Sequence, residues 1–263
     1  MDGVLSQEEI NALLNNNDAA DSSDEILTES EKDAIGEIAN ISMGTAATTL
    51  FSLVNRRVEI STPVVSFSNW DKIVDEYEKP CVFIKIGYTQ GLNGSNILVL
   101  KEKDVKIITD LMMGGDGTNI NGEIGELHLS AISEAMNQMM GSSATSLSSM
   151  LNRTIDISPP IAEVVDLKNT LNEGEIDSFL SEEFVKISFH MEIGDLVDSE
   201  IMQLYPPAFV KEMCKGVSQN MELDTQSVTE DVPQSSNTAT QAAPIQQPQD
   251  SGSMNNASAN SQG

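Results

Sequence analysis

Positive charge is what this sequence has least of. Its 263 residues carry 14 Lys and Arg against 41 Asp and Glu, a formal net charge of −27. The deficit is uneven: residues 1–31 hold nine acidic residues and no basic one, and residues 218–263 hold five and none. No basic face of useful size can be assembled, which excludes nucleic acid and an anionic membrane as partners and favours a protein with a basic surface. Cysteine is nearly absent. Cys81 in a strand-like run and Cys214 in a helix-like run read as small core residues in a reducing compartment, not as a disulfide framework. His128 and His190 are too few and too isolated for a metal centre. No run approaches 18 apolar residues, and the N-terminus MDGVLSQEEI has no basic segment, so neither membrane insertion nor a signal peptide is expected and the chain is placed in the cytoplasm. A glycine-rich phosphate loop and a Ser-His-Asp arrangement are also missing.

What the sequence does contain is a repeat. The stretch Asp33 to Pro63 recurs from Ser130 to Pro160, 97 residues on, with 15 of 31 positions identical. Unrelated stretches would agree at about two, so this is a duplication. Most core positions merely stay apolar, as with Leu53 and Met150 or Val58 and Ile155. Identity is kept at Glu37 and Glu134, Asn40 and Asn137, Gly44 and Gly141, Asn55-Arg56 and Asn152-Arg153, and Pro63 and Pro160.

Taken in order, residues 1–14 read as a short amphipathic hook. Ser6 and Glu9 form a capping-box spacing, and Leu5, Ile10, Leu13 and Leu14 supply apolar positions. Residues 15–27 read as a flexible acidic tether. A long helix is expected from about Thr28 to Val54, with Thr28 and Glu31 as its capping box. A strand bent or interrupted at Pro63 follows, then a hairpin of Cys81–Thr89 and Asn96–Leu100 and a helix over Asp104–Met113. The second copy repeats this order: a helix from Glu123 or Leu127 to Leu151, a strand over Thr154–Val165, and an acidic connector over 168–180. Strands near Phe184–Ile193 and Ile201–Tyr205 and a helix over Pro206–Lys215 that stops at Gly216 complete it. Matching Lys85 with Lys186 assigns four extra residues to the second connector. Each half reads as helix, three strands, helix, and neither has enough core alone. The expected fold is therefore α+β, one domain over residues 28–217 with repeats of about 28–116 and 123–217. It has internal pseudo-twofold symmetry, and its two long helices pack side by side on the sheet. Residues 218–263, rich in Gln, Ser, Asn and Pro and without aromatics, read as a disordered tail.

On a helix, Asp33, Glu37, Asn40 and Gly44 step by four, three and four residues and share a face; Ser130, Glu134, Asn137 and Gly141 reproduce it. One such Glu and Asn pair is ordinarily a solvated helix surface. Core packing cannot explain its survival in both copies. A neutral amide can hold a water in line with a phosphoryl group without repelling its oxygens, and a neighbouring carboxylate suits pairing with a partner's Lys or Arg.

At these residues the sequence resembles the CheC, CheX and FliY family of phosphatases, which dephosphorylate the chemotaxis response regulator CheY. The pattern of Asp or Ser, three residues, Glu, two residues, Asn, 22 residues, Pro is met at Asp33, Glu37, Asn40 and Pro63 and again at Ser130, Glu134, Asn137 and Pro160. The resemblance implies that Asn40 or Asn137 orients the attacking water on the aspartyl phosphate. Glu37 and Glu134 would anchor a basic residue of the regulator, and the regulator would bring its own magnesium ion, with no metal or cofactor bound by this chain. Supporting roles follow for Asp33, Ser130, Gly44 and Gly141, and a chain-turning role for Pro63 and Pro160. The N-terminal LSQEEINALL resembles the hook with which flagellar switch proteins bind phosphorylated CheY, which implies the switch proteins FliM and FliN as further partners at the cytoplasmic face of the flagellar basal body. Members with such a hook usually continue into a FliN-like domain, whereas this sequence ends at Gly263; that domain is expected on a separate chain, or this is a soluble or truncated form. The alternative function is a non-catalytic binding module or flagellar switch component that sequesters or tethers phosphorylated CheY.

Overall fold

Thr28 opens the first long helix. Its hydroxyl accepts from the Glu31 amide at 3.2 Å while its own amide donates to the Glu31 carboxylate at 2.9 Å, so two otherwise orphaned amides are satisfied at once. The computed structural model describes residues 26–76, 80–167 and 173–227. The expected hook at 1–14, the expected tether up to residue 25, and the tail from 228 onward lie outside the described residues. Leu27, assigned to the tether by composition, is fully buried in the core, which moves the start of the domain back.

Helix α1 spans Glu29–Val54, followed by β1 (Val58–Ile60), β2 (Val64–Ser68), α2 (Trp70–Glu76), β3 (Cys81–Gln90), β4 (Gly94–Lys101) and α3 (Glu102–Met112). The second copy gives α4 (Glu126–Leu151), β5 (Asp156–Ile157), β6 (Ile161–Val165), α5 (Glu173–Ile176), a 3-10 turn (Ser178–Ser181), β7 (Phe184–Ile193), β8 (Val197–Tyr205) and α6 (Pro207–Ser227). Two of the expected helix assignments need correction. Gly216 does not stop the last helix, which runs on to Ser227 through residues assigned to the tail. Helix α2 lies where sequence periodicity gave only a connector, because its seven residues are too short to display a helical period.

The eight strands among the described residues form one sheet of order β1-β7-β8-β4-β3-β5, with β2 also on β7 and β6 also on β3. Every pairing among them is antiparallel. The strands that follow each long helix therefore pair with the hairpin of the other copy. Cys81 pairs with Val165 and Phe184 with Ser68, so Cys81 and Phe184 are equivalent, 103 residues apart. The equivalent of Lys85 is Ser188, not Lys186, and the second connector is longer by six residues, not four. The two corners are pinned identically. Ser61 donates its amide to the His190 carbonyl and accepts from the His190 amide, and Ser158 does the same with Gly87. That explains why the Ile-Ser-x-Pro run is written twice.

Both sheet faces are buried. Val82, Ile84 and Ile86 of β3 pack with Leu98 and Leu100 beneath α1, α3, α4 and α6, while Cys81 and Phe83 face a second cluster with Trp70, Ile73 and Leu180 on the far side. This two-sided burial is why the hairpins read as continuous apolar runs. Each connector is tied to the opposite copy: Lys85 reaches Asp177 at 2.8 Å, and Lys186 reaches Glu76 at 2.7 Å. Burial opposes ionisation of Asp177, but Lys85 and the Ser95 hydroxyl outweigh it and hold its carboxyl below the usual range. Burial also keeps the thiols protonated, pushing Cys81 up to about 12 and Cys214 to about 11. Among the described residues, no helix is long and apolar enough to cross a membrane.

The long helices cross antiparallel. Thr45 and Ser146 share a 2.7 Å hydroxyl bond, as do Thr49 and Ser142, and these two bonds exchange places under the 97-residue offset. The pseudo-twofold axis therefore passes beside Ala47 and Ala144 and, in the sheet, through the paired Leu98 and Gln203. Both helices end at an asparagine in the left-handed conformation, Asn55 at φ 50° and Asn152 at φ 47°, which is the reason that Asn is duplicated. Replacing Asn152 with Ala is expected to cost about 1 kcal/mol, whereas Gly should hold stability to within about 0.5 kcal/mol. Urea unfolding checks this; equal losses would assign the role to the side chain and not to the backbone.

Candidate functional site

Seven residues before the crossing on each long helix lie Asn40 and Asn137. At a rise of 1.5 Å per residue each stands roughly 10 Å along its helix from the axis, so the two are separated by on the order of 20 Å. Glu37 is one turn before Asn40, and Glu134 one turn before Asn137, which sets each pair about 5–6 Å apart on one face. Asp33, Glu37 and Asn40 are exposed; Ser130 and Glu134 are exposed and Asn137 is half-buried.

Each pair lines a shallow depression between its helix and the proline corner of the same copy. The first, about 480 Å³, brings together Asp33, Glu37, Asn40 and Pro63 with Glu29, Lys32, Thr62 and Val64. The second, about 410 Å³, brings together Ser130, Glu134, Asn137 and Pro160 with Leu129, Ser133, Pro159 and Ile161. Residues 23 apart in sequence are thus joined, and the joining depends on a corner strand that the other copy's hairpin holds in place. Pro63 is half-buried and Pro160 buried, walling each depression.

Gly44 and Gly141 line neither of these depressions; Gly44 borders a separate one with Phe51, Arg57 and Ile60. A methyl group at either glycine would meet nothing within 4 Å. Intramolecular packing therefore does not require glycine at either place, although glycine inside a helix costs about 1 kcal/mol relative to alanine. The space above each glycine is available to something that comes from outside.

The two sites are not identical. Glu134 accepts a 2.7 Å hydrogen bond from Gln138, whereas the equivalent of Gln138 in the first copy is Ile41, half exposed, and among the described residues no side chain bonds to Glu37. Lys32, which pairs with Glu29 and lies 5.3 Å over the Phe67 ring, is replaced by Leu129 in the second copy. Sequence reasoning did not single out Val64, Ile161, Lys32 or Leu129. The first two had a usable signal, since each directly follows the duplicated proline and both are aliphatic. Among the described residues no group of three or more His, Cys, Asp and Glu could hold a metal ion.

The model of the CheC-like family matches residues 31–67 and 127–164, the helix and proline corner of each copy. The crystal structure of FliY from Thermotoga maritima superposes with a TM-score of 0.68 at 42% identity, over 74% of this chain and 99% of that one.

The chain belongs to the CheC-like family.

Among its relatives there, the flagellar motor switch phosphatase FliY of Bacillus subtilis is 47% identical over 218 residues, 81% of this chain and 57% of that protein. The chain thus spans little more than half the length of that relative. The CheY-P phosphatase CheC of Bacillus subtilis is 24% identical over 143 residues, 52% of this chain and 67% of that protein. The family's matched segments contain every lining residue of the second depression and all but Glu29 of the first.

The stability of the glycine variants tests whether those positions are free of internal demands. Gly44→Ala and Gly141→Ala are each expected to raise stability by about 0.5–1 kcal/mol in thermal or urea unfolding. A loss in either would show that the fold itself needs the glycine.

Proposed function

We propose that the chain is a phosphatase that hydrolyses the aspartyl phosphate of a CheY-type response regulator, using two sites. One observation carries this reading: a carboxylate and an amide, one turn apart and lining a proline-walled depression, occur at both ends of a duplicated fold that does not need them for packing. The names of the two Bacillus relatives, a motor switch phosphatase and a CheY-P phosphatase, support it.

In this mechanism the carboxylate of Glu37 or Glu134 pairs with a Lys or Arg on the regulator and fixes its orientation. The amide oxygen of Asn40 or Asn137 then accepts a hydrogen bond from a water held in line with the acyl phosphate. The water oxygen bonds to phosphorus as the bond to the aspartyl oxygen breaks. The products are a free carboxylate and inorganic phosphate, and the water proton passes to phosphate or solvent. An ionised side chain in place of Asn would repel the phosphoryl oxygens, which is the physical case for an amide. The regulator's acidic pocket would hold its own magnesium ion, and that ion would neutralise charge on the transferring group; this chain contributes orientation and exclusion of bulk water.

The N-terminal motif extends the proposal to capture of the same regulator by the hook, with action at the flagellar switch on the cytoplasmic side. Binding without hydrolysis is the second reading, and the Gln138 bond to Glu134 favours it for the second site, since that carboxylate must exchange one partner for another on docking.

The deciding experiment follows phosphate loss from purified CheY with magnesium, alone and with this chain, Asn40→Ala, Asn137→Ala and the double variant. Wild type is expected to accelerate decay, each single variant to lose part of the acceleration, and the double variant to return to the rate of the regulator alone. Unchanged decay with wild type, despite binding of the regulator, would leave the binding-module reading in its place.

A further inference from the structure

Val64 and Ile161 are exposed by 65% and 67%, among the most exposed large apolar side chains described. They are equivalent under the 97-residue offset, and each is the first residue after the corner proline. Each opens a strand, β2 or β6, whose pairing lies with β7 or β3, and each lines the depression that holds its copy's Glu and Asn. The next residue of each strand, Val65 or Ala162, turns inward and packs against the core. Neither Val64 nor Ile161 is needed to complete that core.

The exposed large apolar residues on the long helices have no apolar counterpart in the other copy: Ile41 corresponds to Gln138, Phe51 to Ser148 and Leu127 to Ser30. At the corner both copies keep a β-branched aliphatic residue in the open. Strand propensity does not require this, because threonine would serve it equally well and is compatible with water. An exposed ion pair between Glu37 or Glu134 and a partner's base contributes little affinity in water. Docking at these shallow depressions therefore needs a source of burial, and the aliphatic rim residue is the one that recurs at both.

We propose that Val64 and Ile161 are apolar anchors for docking, each seating against the face of the phosphorylated response regulator that surrounds its phosphoaspartate. This rests on the phosphatase reading, since a partner whose phosphoryl group reaches Asn40 or Asn137 must lie over the depression that the anchor borders. The proline sets the backbone so that the side chain stands at the rim, which gives Pro63 and Pro160 a docking role beyond turning the chain. The anchors position the regulator and do not touch the reacting atoms.

The test uses the full chain with Val64→Ser and Ile161→Ser together, and the conservative pair Val64→Ile and Ile161→Val. Turnover of phosphorylated CheY is measured against its concentration. The serine variant should raise KM by roughly tenfold or more, as loss of an anchor does, while leaving kcat within about twofold and the melting temperature unchanged. The conservative variant should restore KM. A folded serine variant with the wild-type KM would overturn the anchor role and leave the phosphatase reading standing. If wild type does not accelerate decay at all, that reading fails, and titration against CheY activated with beryllofluoride decides the anchor separately. Weaker binding by the serine variant supports it; equal binding, or none by wild type, overturns it. Both readouts are repeated in chains carrying Ile10→Asp, so that capture by the hook does not hide the effect.

Discussion

The fold depends on an exchange of strands. Neither copy closes its own sheet: β1 and β2 pair with β7, while β5 and β6 pair with β3. A single copy would leave strand edges and one side of its long helix without a partner, and the hydrophobic term grows with the area removed from water. The duplication is therefore not two domains in series. It is one core, made when Ser61 meets His190 and Ser158 meets Gly87, and sealed where the hydroxyls of Thr45, Thr49, Ser142 and Ser146 cross between helices.

This constraint separates what the core uses from what it leaves free. Ile35, Ile38, Met43 and Leu50 of α1 and Ile132, Met136, Met139 and Leu147 of α4 are spent on burial. The opposite faces are released, and the proline corners, anchored by the other copy, stand beside them at fixed height. A carboxylate and an amide on a rigid helix next to a rigid wall form a site with little to reorganise, which suits the positioning of a water better than a mobile loop would. Symmetry makes the sites alike in their pair and corner. Divergence makes them differ in the residues one turn away, with Ile41 and Lys32 at the first and Gln138 and Leu129 at the second.

Much of this was legible before any coordinates. Periodicity located both long helices, because an amphipathic face of 26 residues is a strong signal, and the Thr28–Glu31 pair marked the start of the first. Phe184–Ile193 was found to the residue, since alternation and β-branched composition agree there. Pairing was not legible. The lysine match between Lys85 and Lys186 looked like equivalence, but register is set by which residues reach which face, and that places Ser188 opposite Val64. The Glu and Asn pairs and the prolines emerged from identity between copies, whereas Val64 and Ile161 did not, because they are similar without being identical and an exposed aliphatic residue is ordinary in any one place. Gly216 misled because glycine commonly ends helices, and here α6 continues past it.

The structure of the full chain bound to CheY carrying beryllofluoride and magnesium would show directly whether each proline corner and its Glu and Asn pair receive the regulator. In that complex the amide of Asn40 or Asn137 is expected about 3 Å from a water in line with the phosphoryl mimic, with the adjacent Glu on a basic residue of CheY and the regulator lying across the proline corner. A complex in which the regulator sits away from both corners, with neither asparagine in hydrogen-bond reach of its active site, would contradict this placement.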